Sequence, residues 1–227
     1  MGTYVHLKAA DGFVFPAYVA EPDGPPRGGI VVVPEIFGVN SHIRAVADGF
    51  AAEGYLAVAP ATFERVQRGV ELGYRAHDMQ AGSALKKSAE ALPAPGVLPD
   101  LQAAVQHAAH GGKVGIVGYC WGGLLAWRAA CELDGLTAAV TYYGGGMAGE
   151  TEAARKPRVP VLSHFSDRDK SIPMEGVEAF RKVHPEVEMH VYPAEHGFNC
   201  DQRGAWNAEA AQQARARTLA FFGKHLG

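Results

Sequence analysis

The feature that most constrains this chain is its alternation of strand-like and helix-like segments. From Val114 the pattern is regular: Val114–Val117 reads as a strand and Leu124–Cys131 as a helix, and Ala138–Tyr142 is the next strand. Val159–Phe165 precedes a helix at Met174–Val183, and Val187–Tyr192 precedes a helix at Glu209–Phe222. Upstream, Gly29–Val33 (G-I-V-V-V) and Leu56–Ala59 are short apolar runs. His42–Glu53 between them has helical spacing and ends at Gly54. Apolar runs without alternation suit strands covered on both faces, and strands alternating with helices imply a parallel sheet between two helical layers. Two further helical stretches, Tyr74–Ala91 and Leu98–Ala109, are split by Pro93, Pro95 and Gly96. At the start, Tyr4–Lys8 and Phe13–Ala20 flank Asp11-Gly12, a hairpin signal that predicts an antiparallel edge. The expected fold is therefore α/β: a mostly parallel twisted sheet with helices on both faces and an N-terminal antiparallel hairpin.

The 227 residues fit one domain, 1–227, since α/β units of about 200–250 residues commonly form one. A net charge of −3 gives no electrostatic reason to expect nucleic acid or an acidic membrane as partner. No apolar run approaches the roughly 20 residues that span a bilayer, and Met1–Ala10 lacks the pattern of a secretory leader. Three cysteines without a C-x-x-C pair argue against a disulfide scaffold or a zinc finger. The expectation is a cytoplasmic monomer that acts on a small molecule without a metal or organic cofactor.

The chemistry concentrates in Gly118-Tyr119-Cys120-Trp121-Gly122-Gly123, between the strand ending at Val117 and the following helix. A G-x-C-x-G turn there resembles the G-x-S-x-G elbow, whose small residues let a nucleophile project above the sheet. At a helix N-terminus the dipole favours thiolate over thiol, and the backbone N–H of Trp121 is placed to meet an oxyanion. A thiol nucleophile needs a base, and the base a carboxylate to orient it. The loop after Val159–Phe165 carries Asp167 and Asp169. Asp169 lies three after a small residue, Ser166, and four before Pro173, and it is preferred over Asp167 as the acid. His196, just beyond the last strand and beside Gly197, is the expected base. His107 and His110 lack a third ligand and read as surface residues. His164 could line the site or pack in the core. Cys131 reads as core, and Cys200 is ambiguous.

These segments form a recognisable set: P-E-I-F-G-V-N (Pro34–Asn40), G-Y-C-W-G-G (Gly118–Gly123), Y-Y-G (Tyr142–Gly144), H-F-S-D-R-D-K-S-I-P (His164–Pro173) and E-H-G-F-N (Glu195–Asn199). In this order they resemble the dienelactone hydrolase family (carboxymethylenebutenolidases) of the α/β-hydrolase fold, over nearly the whole chain. The resemblance implies hydrolysis of a small ester or lactone through a thioester. It also implies that Glu35 accepts the thiol proton when substrate binds and that the Ile36 N–H is the second oxyanion donor. A carboxylate just after a buried strand, with no neutralising neighbour in sequence, is physically unusual.

The chain departs from the family where a substrate-binding arginine is expected four residues after the histidine. Cys200 stands there, and Arg203 is the substitute three residues on; Arg65, Arg68 and Arg75 lie in the region of a second arginine. Phe37, Tyr142 and Phe198 are candidate substrate contacts. Rival readings are a general carboxylesterase or thioesterase, a non-catalytic small-molecule binding protein on the same fold, and a redox protein pairing Cys120 with Cys200.

Overall fold

A computed structural model describes residues 2–227; Met1, the first residue of the Met1–Ala10 stretch and of the expected domain 1–227, lies outside them. Among the described residues, eight strands form one sheet: β1 (Thr3–Lys8), β2 (Val14–Ala20), β3 (Gly29–Val33), β4 (Leu56–Pro60), β5 (Val114–Tyr119), β6 (Leu136–Tyr142), β7 (Val161–Ser166) and β8 (Glu188–Tyr192). Their spatial order is β1-β2-β4-β3-β5-β6-β7-β8. β1 pairs antiparallel with β2, and β2 with β4; every later pairing is parallel. The hairpin turns at Gly12, whose φ of 87° is left-handed, and the Asp11 carboxylate accepts the Phe13 N–H at 3.1 Å. Every residue of β3, β4, β5 and β7 is buried, as in strands covered on both sides; β3, β4 and β5 are apolar throughout, whereas β7 also buries Ser163, His164 and Ser166.

Among the described residues, seven α-helices flank the sheet: α1 (Ser41–Ala52), α2 (Ala76–Glu90), α3 (Leu98–Ala108), α4 (Trp121–Glu132), α5 (Glu150–Ala153), α6 (Met174–Val183) and α7 (Ala208–Leu226). Two glycines of β5 show that α4 and α7 lie on opposite faces. A Cβ at Gly115 would lie 2.6 Å from the Phe222 ring of α7, and one at Gly118 would lie 1.8 Å from the Gly122 carbonyl of α4. Residues three apart on a strand point to opposite sides. α1 joins α7 on its face, with the rings of Phe50 and Phe222 6.1 Å apart.

Most boundaries shift by one or two residues from the sequence reading, and the helices differ most. The helix after the elbow starts at Trp121, not Leu124: the turn itself begins the helix, although Gly122 and Gly123 are poor helix formers. α2 starts at Ala76 rather than Tyr74, because the Tyr74 hydroxyl is bound by the Asn40 side chain instead. α7 runs past Gly223 to Leu226, which is buried against the sheet. The short α5 carries too few residues for a periodic signal.

β3 is the pivot of this order. The chain leaves it for β4 on one side and later returns to β5 on the other. Such a reversal opens a crevice beyond the carboxyl ends of the two strands, where open α/β sheets bind ligands. The Val33–Gly118 register places Pro34-Glu35 beside Tyr119-Cys120 at that crevice.

The apposition of α7 to β5 makes a direct stability claim. Phe222 is fully buried, so Phe222→Ala is expected to cost about 3–5 kcal/mol. Urea unfolding would measure this as a lower midpoint.

Candidate active site

Cys120 is the last residue before α4 and has φ 54° and ψ −116°, a left-handed conformation that a residue with a side chain rarely adopts. Its surroundings hold it there. Its N–H donates to the Tyr142 carbonyl at 3.0 Å, and its carbonyl accepts from Gly123 N at 3.0 Å. The glycines are required by space. A Cβ on Gly122 would lie 2.4 Å from the carbonyls of Val33 and Pro34, and one on Gly123 would lie 2.9 Å from Tyr142 O. Cys120 is therefore lifted above the sheet, half-buried, into a cavity of about 220 Å³.

His196 and Ser171 also line this cavity, from the loops after β8 and β7. The His196 Nδ1 lies 2.6 Å from Asp169 Oδ2, and Asp169 Oδ1 accepts the N–H groups of Ser171 (2.8 Å) and Ile172 (3.1 Å). Asp169 is thus buried with both oxygens engaged, while Asp167 is exposed and lies 3.7 Å from Arg168. The geometry favours Asp169 as the histidine's partner. Burial alone would lower the pKa of His196. Its bond to Asp169 and its interaction with Cys120 reverse this and push it up to about 10. The ring of Tyr143 flanks His196 at 5.0 Å. Tyr143 itself has φ 39°, and its hydroxyl is buried without a hydrogen-bond partner.

Glu35, 1% exposed, is tied at Oε1 to Arg203 Nη1 at 2.8 Å, and its Oε2 is buried with no partner. Arg203 lies over the Phe37 ring, 5.6 Å from its centroid. Burial opposes the guanidinium charge and is the largest single influence, but Glu35 together with Tyr143, Cys120 and Cys200 outweighs it and raises the pKa of Arg203. Gly197 makes this pair possible, since a Cβ there would lie 2.3 Å from Arg203 Nη1. The N–H groups of Ile36 and Trp121 have no hydrogen-bond acceptor among the described residues.

Several expected site residues are placed elsewhere. Tyr142 and Phe198 do not line the cavity. Tyr142 points to the α7 side, its hydroxyl 2.7 Å from Thr218 Oγ1, and Phe198 packs on Tyr143 and Tyr192 in the core. His164 is fully buried between Tyr192 and Thr218, where burial holds its pKa well below the ordinary value. Arg65 is committed to Asp100 and Asp11, and neither Arg68 nor Arg75 lines the cavity. The Trp121 side chain is packed on Phe63 and bonded to Glu90, leaving only its backbone toward the site. Cys131 is in the core, and Cys200 is buried, its thiol raised to about 11 by burial and then by the Glu35 charge.

The sequence reading missed one wall of the cavity. Met79, Ser83 and Lys86 face it from α2. Their i, i+4, i+7 spacing marks one helical face, but a mixed apolar and polar face carries no sign of what it meets. Gly82 lets this helix close on the loop after β3, where a Cβ would lie 2.3 Å from the Ile36 carbonyl.

The profile of the dienelactone hydrolase family matches residues 15–226. A carboxymethylenebutenolidase of Pseudomonas putida is 31% identical, covering 96% of this chain and 94% of its own. A Yersinia pestis protein provisionally named for the same activity is 37% identical, covering 95% of this chain and 86% of its own. A crystal structure from Klebsiella pneumoniae, provisionally assigned as a dienelactone hydrolase, is 32% identical with a TM-score of 0.81, covering 98% of this chain and all of that one. Among the described residues, no helix is long and apolar enough to cross a membrane.

The raised pKa of His196 generates a prediction with a definite sign. The folded protein binds this proton more tightly than the unfolded chain, whose histidine titrates near 6.5. The stabilisation is fully present below that value and is lost as pH rises toward about 10. In urea unfolding between pH 7 and 9, Asp169→Asn is expected to flatten the decline in stability. NMR titration of the His196 ring should show its pKa falling both in that variant and after carboxamidomethylation of Cys120.

Proposed function

Because the chain belongs to the dienelactone hydrolase family, whose members hydrolyse ester bonds, we propose that it cleaves a small ester or lactone with Cys120 as the nucleophile. The observation that carries this reading is the placement of Cys120: a strained elbow holds it over a small cavity, beside a histidine oriented by a buried carboxylate.

In the proposed sequence, substrate enters over Cys120 and the thiol gives its proton to Glu35 or to His196. The thiolate attacks the carbonyl carbon. The N–H groups of Ile36 and Trp121 receive the oxyanion, consistent with their having no other acceptor. Collapse expels the alkoxide, which takes a proton from the imidazolium, and leaves a thioester. His196 then draws a proton from water, with Asp169 holding the ring, as the water oxygen bonds to the thioester carbonyl carbon; collapse breaks the C–S bond and releases the acid, and the thiolate recovers the proton it first gave up. The pKa of His196 suits both halves of this cycle. While Cys120 carries charge the imidazole is held protonated, as an acid for the leaving group. Once the sulfur is acylated, that contribution vanishes and the ring becomes a stronger competitor for neutrality, as a base must be.

Two cations, Arg203 and Lys86, line the cavity. They favour a substrate that carries a carboxylate, and a carboxylate drawing Arg203 toward itself would loosen its hold on Glu35. The volume of about 220 Å³ restricts the acyl group to a small one. Met79, Ile36 and Phe37 supply the apolar contacts.

The test is hydrolysis of p-nitrophenyl acetate and of a dienelactone bearing a carboxylate. Cys120→Ala is expected to lower kcat/KM on both by about 10³-fold or more, and an unchanged rate would remove the nucleophile assignment. Glu35→Gln should lower kcat by about 10²-fold, within the range of a lost proton acceptor. Lys86→Met should raise KM about two- to fivefold for the charged lactone only. If the neutral ester is turned over and the dienelactone is not, the enzyme is a general cysteine-dependent esterase.

A further inference from the structure

A second group of reactive side chains lies outside the lining of the cavity over Cys120. His42, in the first turn of α1, is buried. Cys200 and Asp201 follow one another in the loop between β8 and α7. One ring nitrogen of His42, the Cys200 sulfur and one Asp201 carboxylate oxygen all lie within 4.8 Å of one another. From these positions we propose that His42, Cys200 and Asp201 form a binding site for a borderline-soft divalent cation of the zinc class.

Two features support the site. The first is spacing. His42 Nδ1 is 3.1 Å from Asp201 Oδ1. Tetrahedral ligands with bonds of about 2.0–2.3 Å stand roughly 3.4–3.6 Å apart, so the pair needs to open by only a few tenths of an ångström. The second is access. A cavity of about 440 Å³ between α1 and α7 is lined by His42, Asp201, Asn199 and Arg215. It offers a route for the ion and room for water as a fourth ligand.

The donor set decides the class of ion. Magnesium and calcium take oxygen ligands, whereas a thiolate with an imidazole selects zinc and its neighbours. Binding is balanced by loss of the thiol proton: the Sγ–H bond breaks, the sulfur–metal bond forms, and the proton goes to solvent. The loop is fixed for this role by Cys200 N donating to Gly197 O at 3.0 Å and by Ser41 Oγ donating to Gln202 Oε1 at 3.0 Å, which clasps α1 to it. Chain order gives no sign of this arrangement, because His42 and Cys200 are adjacent only in the fold.

The test uses Co²⁺ as a spectroscopic probe in the full-length Cys120→Ser variant, which removes the thiol of the cavity. One Co²⁺ per chain is expected, with a sulfur-to-cobalt charge-transfer band in the near ultraviolet and tetrahedral bands in the visible, both displaced by one equivalent of Zn²⁺. Adding Cys200→Ser should abolish the charge-transfer band. Adding Asp201→Asn, at an exposed side chain, should weaken binding tenfold or more while circular dichroism stays unchanged. Absence of the band in Cys120→Ser, or its survival when Cys200 is also replaced, would overturn the proposal.

Discussion

The parallel pairing of β3 with β5 is the contact on which the rest of this structure depends. Val33 opposite Gly118 sets the register, and the register carries Glu35 to the same height as Cys120. A slip of one residue would reverse every side chain between the two faces. It would place Phe222 and Gly122 against the wrong residues of β5, where the glycines leave no tolerance. The geometry of the candidate site is therefore specified by the hydrophobic pattern of two short strands, far from any polar group. Packing fixes the register, the register fixes the strand ends, and the strand ends place Glu35 and Cys120.

The two buried carboxylates illustrate how environment divides labour. Asp169 has both oxygens occupied, one by two backbone amides and one by His196. It is held in a single orientation with its charge compensated, the condition for orienting an imidazole. Glu35 is only half-satisfied: Arg203 holds one oxygen, and the other has no partner. A carboxylate so placed has one oxygen free to take a new partner. On the proposed mechanism this asymmetry separates a carboxylate that stays still from one that accepts a proton.

Much of this was legible in the sequence, for identifiable reasons. The unbroken runs G-I-V-V-V and V-G-I-V announce strands buried on both sides, and the elbow glycines announce a tight turn, because each reflects a local steric demand. Cys120, Asp169 and His196 stand just beyond strands, where position follows from chain order, whereas Glu35 is singled out only by the family resemblance. Tyr142 misled because its neighbour Tyr143 faces His196, whereas Tyr142 itself turns to the α7 side; no sequence rule says which of two adjacent tyrosines at a strand end turns inward. Lys86 was missed because a surface lysine on a helix looks the same whether it meets water or a cavity. The long-range pairs Glu35–Arg203 and His42–Asp201 depend on loop paths that no periodicity encodes.

The distribution of unsatisfied groups ties these observations together. Four of the five orphan buried polar atoms among the described residues belong to Glu35, Thr62, Tyr143 and Ser166, each at or within two residues of the carboxyl end of a parallel strand. The two left-handed non-glycine residues, Cys120 and Tyr143, stand at the same edge. Orphans and strained dihedrals each cost of order 1–3 kcal/mol, so this edge is the costly side of the molecule. It persists because the opposite resource is abundant: a sheet whose central strands are buried throughout. A chain selected for stability alone would fill this edge with paired or apolar groups. The strained Cys120 and Tyr143 and the half-satisfied Glu35 stand at the proposed site, where the proposed chemistry, and not folding, gives their cost a reason.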